Sequence, residues 1–484
     1  MDELSLPLPL SLHNILILLG GAFVLRNVHI FAATGLMLSM AACAPLQGPS
    51  QSELVDQALP ATTNISLEWD KVISEGAVKS GWLATFGDEQ LENIVAEVLE
   101  NNRSLAVAAA NLDVAAGLAT QAGARLVPAV SLGGGSQSSS RGSNSTTSTG
   151  VSLNVEWEID VWGRLSAGAS ASEEAFRASE ADFEFARQSL VAQTAKAWFL
   201  ATEANLQKKL AQEASDIYRK LLEIAKTRLE VGKSNPQDVY LAKADLASAE
   251  ERLRQTQGAF KQAVRSLEVM LGRYPSAELE VPSEFVPVPP AIPVGLPAQL
   301  LERRPDLRSA ERLVASAFQR IEEAKAAKLP RLSLTASGGS SSNELIDLLG
   351  VSKGFFSLGA NFLASFDVGG ELQAQVEIET AKQAAALANY GGTALRAFNE
   401  VETALTNETL LQERELFQIS AVENNRKALN VVETQYEFGQ VDFLSVMQMQ
   451  AKTLNTRIGL IRLKNARLTQ RIDLHLALGG NFSE

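Results

Sequence analysis

Apolar and polar residues alternate strictly through residues 151–161 (VSLNVEWEIDV). Val151, Leu153, Val155, Trp157, Ile159 and Val161 share one face, and Ser152, Asn154, Glu156, Glu158 and Asp160 share the other. A period of two with one apolar and one wet side predicts a β-strand. Leu358, Ala360, Phe362, Ala364, Phe366 and Val368 repeat the pattern. Partner strands are expected near 129–139 and 331–341, with RGSNSTTSTG (141–150) and NELIDLLGVSK (343–353) as exposed loops inside the two hairpins. Gly163 to about Val231, and Gly370 to Phe438, hold no proline and are rich in Ala, Leu, Glu, Gln and Lys. The only strong interruption is Gly391-Gly392. Each stretch predicts a helix about 100 Å long at roughly 1.5 Å per residue. Coiled-coil stripes follow: Val239, Leu246, Leu253, Phe260 and Leu267 recur every seventh residue, beside Ala242, Ala249, Thr256, Ala263 and Met270. Met447, Leu454, Ile461 and Leu468 do the same on a different face.

The elements occur twice in one order, which marks an internal duplication. Asp160-Val-Trp-Gly matches Asp367-Val-Gly-Gly, Gly232 matches Gly439, and Leu271-Gly272 matches Leu478-Gly479, each pair 207 residues apart. LVPAVSL (126–132) matches KLPRLSL (328–334) at a slightly shorter offset, the difference falling in the hairpin loop. Between the copies, Pro275 to Pro297 holds seven of the sixteen prolines, so this stretch is an extended linker. The organisation expected is a leader at 1–42, a lipid-anchored linker at 43–80 and a first repeat at 81–274. That repeat holds a hairpin near 128–161 and a helical pair at 163–272. A Pro-rich linker at 275–298 leads to a second repeat at 299–480, with a hairpin near 330–368 and a helical pair at 369–478.

Composition narrows the function. A formal charge of −13 gives no basic face for nucleic acid. Aromatics make up 6% of residues while apolar residues reach 46%, largely as alanine, which favours long helices over one compact core. With one cysteine there is no internal disulfide and no multi-cysteine metal cluster. That cysteine ends a short apolar run, IFAATGLMLSMAA (30–42), preceded by Arg26 and His29: the layout of a secretory leader. The run resembles a bacterial lipobox, which implies that Cys43 becomes the lipidated N-terminus. Ala44, where aspartate is absent, resembles the sorting signal for the outer membrane. Asp2 and Glu3 make the first residues unlike a leader, so translation is expected to start at an alternative codon near Val24 to Val28.

Two hairpins with apolar outer faces suit a membrane β-barrel, but four strands cannot close one, and open edges are not tolerated in lipid. The barrel must be shared among chains, its lumen lined by Glu156, Glu158 and Asp160. No phosphate loop, nucleophile elbow or metal-ligand spacing is present, so neither an enzyme nor a cofactor is expected. His475 falls at a heptad position, where packing is the expected role. Six methionines and one cysteine provide no relay for soft metals.

The ordered motifs WLATFGDEQL (82–91), IDVWGR (159–164), VGKSNPQDV (231–239), LLERRPDLRSAE (300–311), FDVGG (366–370) and YEFGQVDFL (436–444) resemble the TolC-like outer-membrane efflux factors, especially their NodT-type lipoprotein branch. The resemblance covers Trp82 to Gly479. It implies a mixed, mostly α fold: a homotrimer sharing a twelve-stranded barrel, four strands per chain, above a long periplasmic helical tunnel. It also implies a periplasmic adaptor (membrane fusion protein) and an inner-membrane RND-type pump as partners. The role implied is an exit duct for small molecules such as drugs or toxic compounds. A protein-secretion channel of the same fold and a non-conducting coiled-coil envelope lipoprotein are the alternatives. Adaptor docking would fall on the helix–helix turns, at Gly232, Ser234, Asp238, Tyr436, Gly439 and Asp442. Helix-stop and helix-start chemistry accounts for the same turns without docking. The periplasmic aperture would involve Asp442, Ser445 and Gln448. Many family members carry aspartate where this chain has Gln448, and some where it has Ser445, so the resemblance does not extend to an acidic, cation-selective gate at these positions, and Asp442 is the nearest carboxylate.

Overall fold

The computed structural model describes residues 51–59, 63, 69, 80–142, 144–294, 297–342 and 354–482. Chain order among these is α1 (Gln51–Ala58), a 3-10 turn (Leu83–Phe86), α2 (Glu89–Asn101), α3 (Arg103–Ala124), β1 (Ala129–Arg141) and β2 (Asn144–Ile159). Next come α4 (Arg164–Glu230), α5 (Pro236–Met270), α6 (Pro297–Arg303), α7 (Pro305–Ala327), β3 (Arg331–Ser342), β4 (Gly354–Leu363), α8 (Glu371–Glu437) and α9 (Phe443–Ala477). Helices α4 and α8 are each 67 residues long and α5 and α9 each 35. At roughly 1.5 Å per residue the long pair extends about 100 Å.

The long helices stop where glycine permits it. Gly232, Gly272, Gly439 and Gly479 have φ of 71°, 72°, 72° and 67°, a region that L side chains enter only at a cost. At each, the glycine N–H bonds three residues back and the next N–H bonds five residues back. The bonds are Gly232 to Leu229 and Lys233 to Arg228, for example, then Gly439 to Tyr436 and Gln440 to Gln435. These paired bonds use the last helical carbonyls and turn the chain.

The helices lie side by side in a single layer. Near the sheet the order is α3–α4–α7–α8, and towards the turns it is α5–α4–α9–α8. Three apolar clusters hold this layer. One gathers Trp82, Leu91, Trp198 and Phe199 with linker residues Leu279, Val281 and Phe285. A second joins Leu54 and Trp69 to Ile292, Leu307, Tyr390 and Leu405. The third, around Leu221, Ala242, Phe443 and Met447, binds the α4–α5 coil to the α8–α9 coil near the turns. The chain preceding the first helical repeat and the linker between repeats therefore both wrap the middle of the layer.

Gly391, the break in the second long helical stretch, has a packing reason. A side chain there would lie 2.4 Å from the Ala58 carbonyl oxygen, so α1 docks through bare backbone.

The four strands form one antiparallel sheet in the order β1–β2–β3–β4. The first hairpin differs from expectation: RGSNSTTSTG is almost entirely strand, with Arg141 pairing Asn144 and Ser136 pairing Thr149. Serine and threonine on both faces concealed the period. Strand β4 ends at Leu363, so Ala364, Phe366 and Val368 lie beyond it. Residues 343–353, the second expected loop, lie outside the described residues, as does the leader.

Candidate functional site

Strand register places the apolar residues on one face of the sheet. Leu132, Leu153, Gly338 and Phe356 form one row across four strands, and Val130, Val155, Ala336 and Leu358 the next. Trp157, Leu334 and Ala360 follow, then Ile159, Leu332 and Phe362. The face is bare: Leu132 is 76% exposed, Phe356 73% and Leu358 71%. Leaving each such side chain in water forgoes roughly 1.5–3 kcal/mol, so this face is built for an apolar medium. The opposite face carries Ser131, Asn154, Ser337 and Ser357 in one row and Ala129, Glu156, Thr335 and Gly359 in another.

The three acidic residues expected in the lumen part company. Glu156 stands exposed on the polar face, free to meet water. Glu158 shares that face but is held by the Arg164 guanidinium, with contacts of 2.9 to 3.1 Å. Asp160 lies past the end of β2, and its expected place on the strand face is corrected. Its carboxylate accepts from the Leu165 and Ser166 N–H groups at 2.9 and 2.8 Å and from the Ser166 hydroxyl at 2.7 Å. Asp367 repeats this at α8, accepting from Leu372 and Gln373 N–H. Helix starts demand such acceptors, and a carboxylate also suits the positive end of the helix dipole.

At the far end the two helix–helix turns lie side by side. In the first, Asn235 caps α5 by accepting from Asp238 N–H at 3.1 Å, with Pro236 opening the helix. The Ser234 hydroxyl donates to the Asp238 carboxylate at 2.6 Å. In the second, Asp442 caps α9, accepting from the Ser445 hydroxyl at 2.6 Å and its N–H at 2.8 Å. The hydroxyl bond, with the N–H bond after it, holds the Asp442 carboxyl below its usual range. Ser445 is thereby occupied, while Gln448 stands exposed one turn further on. Tyr436 is buried, and desolvation raises its phenol above its ordinary pKa. Its ring lies 5.6 Å from Phe443.

Arg228, unremarked in the sequence, joins the turns. Its guanidinium sits 4.0 Å from the Tyr436 ring centre and donates to the Tyr436 and Glu437 carbonyls at 3.1 and 3.4 Å. A cation at the C-terminal end of α8 answers that helix's dipole. Around this core Val231 and Phe438 remain exposed at the tip. Arg304, within the RRPD motif, was equally hidden. It is buried, donating to Asp306, Glu400 and the Ala477 carbonyl, so it pins α7, α8 and α9 together. Nothing in the local pattern distinguishes it from Arg303.

Comparison with known proteins decides the family. The outer membrane efflux protein family model matches residues 94–273 and 296–480, one stretch per repeat. The chain belongs to the outer membrane efflux protein family. It is similar to the cation efflux system protein CusC of Escherichia coli O6:H1, 29% identical over 88% of this chain and 94% of that one. It is 30% identical to the probable efflux pump outer membrane protein TtgC of Pseudomonas putida, over 84% of this chain and 86% of the relative. The crystal structure of VceC from Vibrio cholerae superposes with a TM-score of 0.78 at 25% identity, covering 84% of this chain and all of that one. As an efflux protein of this family the chain resides in the outer membrane as an exit duct, with a large periplasmic portion formed by the helices. Cys43 lies outside the described residues.

Proposed function

We propose that three copies of this efflux protein close one twelve-stranded barrel and one helical tunnel, through which small molecules leave the periplasm passively. The observation that carries this reading is the open edge along the whole molecule. β1 and β4 are edge strands under an apolar face, and α3 with α5 on one side and α8 on the other are edge helices. Unpaired strand edges cannot persist in lipid, where each unsatisfied backbone group costs several kcal/mol. Pairing β4 of one copy with β1 of the next satisfies both edges and continues the helical layer from α8 to α3 and α5.

In that ring Glu156 contributes one free carboxylate per protomer to the barrel lumen, with Glu158 neutralised by Arg164 and Asp160 committed to capping α4. At the periplasmic tip the aperture is lined by Asp442, Ser445 and Gln448, of which Asp442 and Gln448 are exposed. The paired turns, with exposed Val231 and Phe438 around the Arg228–Tyr436 contact, present a firm apolar surface suited to a periplasmic adaptor. An inner-membrane RND-type pump supplies the cargo. Lipid on Cys43 adds an anchor. CusC is named for cation efflux, but cargo choice rests with the pump, so the reading for this chain stays at small molecules.

The test is single-channel conductance of the detergent-extracted oligomer in a planar bilayer, after its mass is measured. A trimer giving discrete, stable current steps supports the duct. A monomer, or a trimer silent even when the Gly232 and Gly439 turns are loosened by mutation, favours a non-conducting spacer.

A further inference from the structure

Helices α5 and α9 each pack along α4, and a groove of about 360 Å³ runs between them over α4. Its α4 stripe extends from Gln207 to Tyr218, its α5 stripe from Asp245 to Thr256 and its α9 stripe from Ala451 to Ile458. At roughly 1.5 Å per residue the groove is about 16 Å long. Leu210, Leu454 and Ile458 make it apolar, and Ala211, Ala214 and Ala249 give it depth. One carboxylate in it lacks a counter-charge. Asp245 is half-buried, and among the described residues it has no hydrogen bond and no ion pair. The acids around it are all engaged: Glu213 by Arg457 at 2.7 Å, and Asp216 and Glu250 by Arg219 at 2.8 and 3.1 Å. Desolvation raises the Asp245 carboxyl above its usual range. Burial, and next the Asp245 charge, raises the Tyr218 phenol that shares the groove. A carboxylate held in this way costs free energy that a bound cation offsets. Arg252, the other charged lining residue, stands two turns along α5, roughly 10 Å away, and is turned to Gln255 at 2.7 Å.

We infer that this groove binds a small organic ammonium with an aromatic tail, its charge on Asp245, its chain along the alanine floor and its ring towards Arg252. Charge complementarity sets the near end, because an ammonium N–H gives a carboxylate the charge-assisted bond that Asp245 lacks. The far end follows from Arg252, whose planar guanidinium suits the face of a ring. The volume falls at the small end of ordinary ligand pockets, which selects small amines over peptides. All three stripes belong to one chain, so the site is complete without a partner copy.

Photoaffinity labelling of the detergent-solubilised, full-length protein with para-azidophenylbutylamine, mapped by peptide mass spectrometry, tests the groove. Label is expected on peptides holding residues 207–218, 245–256 or 451–458, removed by excess phenylbutylamine and not by phenylbutanoate. Asp245→Asn weakens labelling roughly tenfold through loss of the charge-assisted contact. Ser248→Trp, at an exposed position on the rim, obstructs the groove and lowers labelling with Asp245 intact. Glu250→Gln removes an exposed acid outside the groove and leaves labelling unchanged, and thermal melts verify that each variant is folded. Equal labelling of wild type and Asp245→Asn, or equal competition by phenylbutanoate, overturns the inference. Absence of label from these three helices overturns it too, in favour of a groove reserved for a partner's helix.

Discussion

Helices α4 and α8 are counterparts in the duplication, each 67 residues long, each opened by an aspartate cap and closed by a glycine turn. Yet α4 buries 24 of its residues and α8 only 11. The reason is position: α4 has neighbours on both sides, whereas α8 is an edge. Individual pairs make this concrete. Leu210 is 5% exposed while its counterpart Phe417 is 76% exposed, and Ala171 is fully buried where Ile378 is 48% exposed. Large apolar side chains on the bare edge helix are the surface that the proposed trimer would cover. Duplication supplied two similar units, and divergence turned one into the centre of the protomer and the other into its edge.

The partner contacts of α8 differ in kind as well. Against α9 it buries the Glu408–Arg471 ion pair, extended by Arg467 and Glu415 and by the Pro290 carbonyl. Arg471→Met leaves Glu408 with only the longer Arg467 contact at 3.9 Å and is expected to cost about 3–5 kcal/mol, read from guanidinium unfolding of the solubilised protein. Adding Glu408→Leu should recover most of that loss. A variant within about 0.5 kcal/mol of wild type, a threshold typical of neutral surface changes, would remove the pair from the account of the α8–α9 packing.

A sharper contrast comes from Leu210→Ala and Phe417→Ala. The first should destabilise the protomer by about 2–4 kcal/mol through cavity formation. The second should leave unfolding of the isolated chain nearly unchanged while shifting the trimer towards monomer in analytical ultracentrifugation. Similar effects on both readouts would erase the distinction between centre and edge.

The smallest effect concerns another diverged pair, Glu268 and His475. Glu268 gathers the N–H groups of Ala277, Glu278 and Leu279, whereas His475 stacks on Trp82 with ring centres 5.3 Å apart. Burial, helped by the Arg471 charge, lowers the His475 pKa from 6.5 to about 3. Below pH 6.5 the unfolded chain therefore binds a proton that the folded one refuses, so stability falls as pH drops towards 3. At pH 5 the loss is about 2 kcal/mol, and His475→Leu should flatten that slope between pH 7 and 5 in thermal melts.

Much of this molecule was legible before its structure. The 207-residue offset, the proline-free stretches and the heptads located both long helices, because helix period and helix breakers are local signals. The tip of the first hairpin, residues 141–150, was read as loop because its serines and threonines serve both faces and leave no alternation to read. Asp160 was assigned to the strand by parity alone, although capping of α4 claims it. Arg228 and Arg304 act between elements far apart in sequence, where no local pattern points. Edge and centre were equally invisible, since Leu210 and Phe417 look alike as apolar positions and differ only in their neighbours.

The meeting of Ala58 with Gly391 bears on how the protein is made. Synthesis and export deliver the amino end first, yet the seat for α1 emerges 333 residues later. Until then Leu54 lacks most of its pocket, and β2 likewise waits for the second hairpin, which emerges shortly before that seat. Contacts so distant in sequence close slowly, and exposed apolar strands aggregate while they wait. The buckle formed by α1 on α8 thus marks a nearly complete chain, and a chain released early would reach the membrane unfastened, a natural substrate for periplasmic chaperones and proteases.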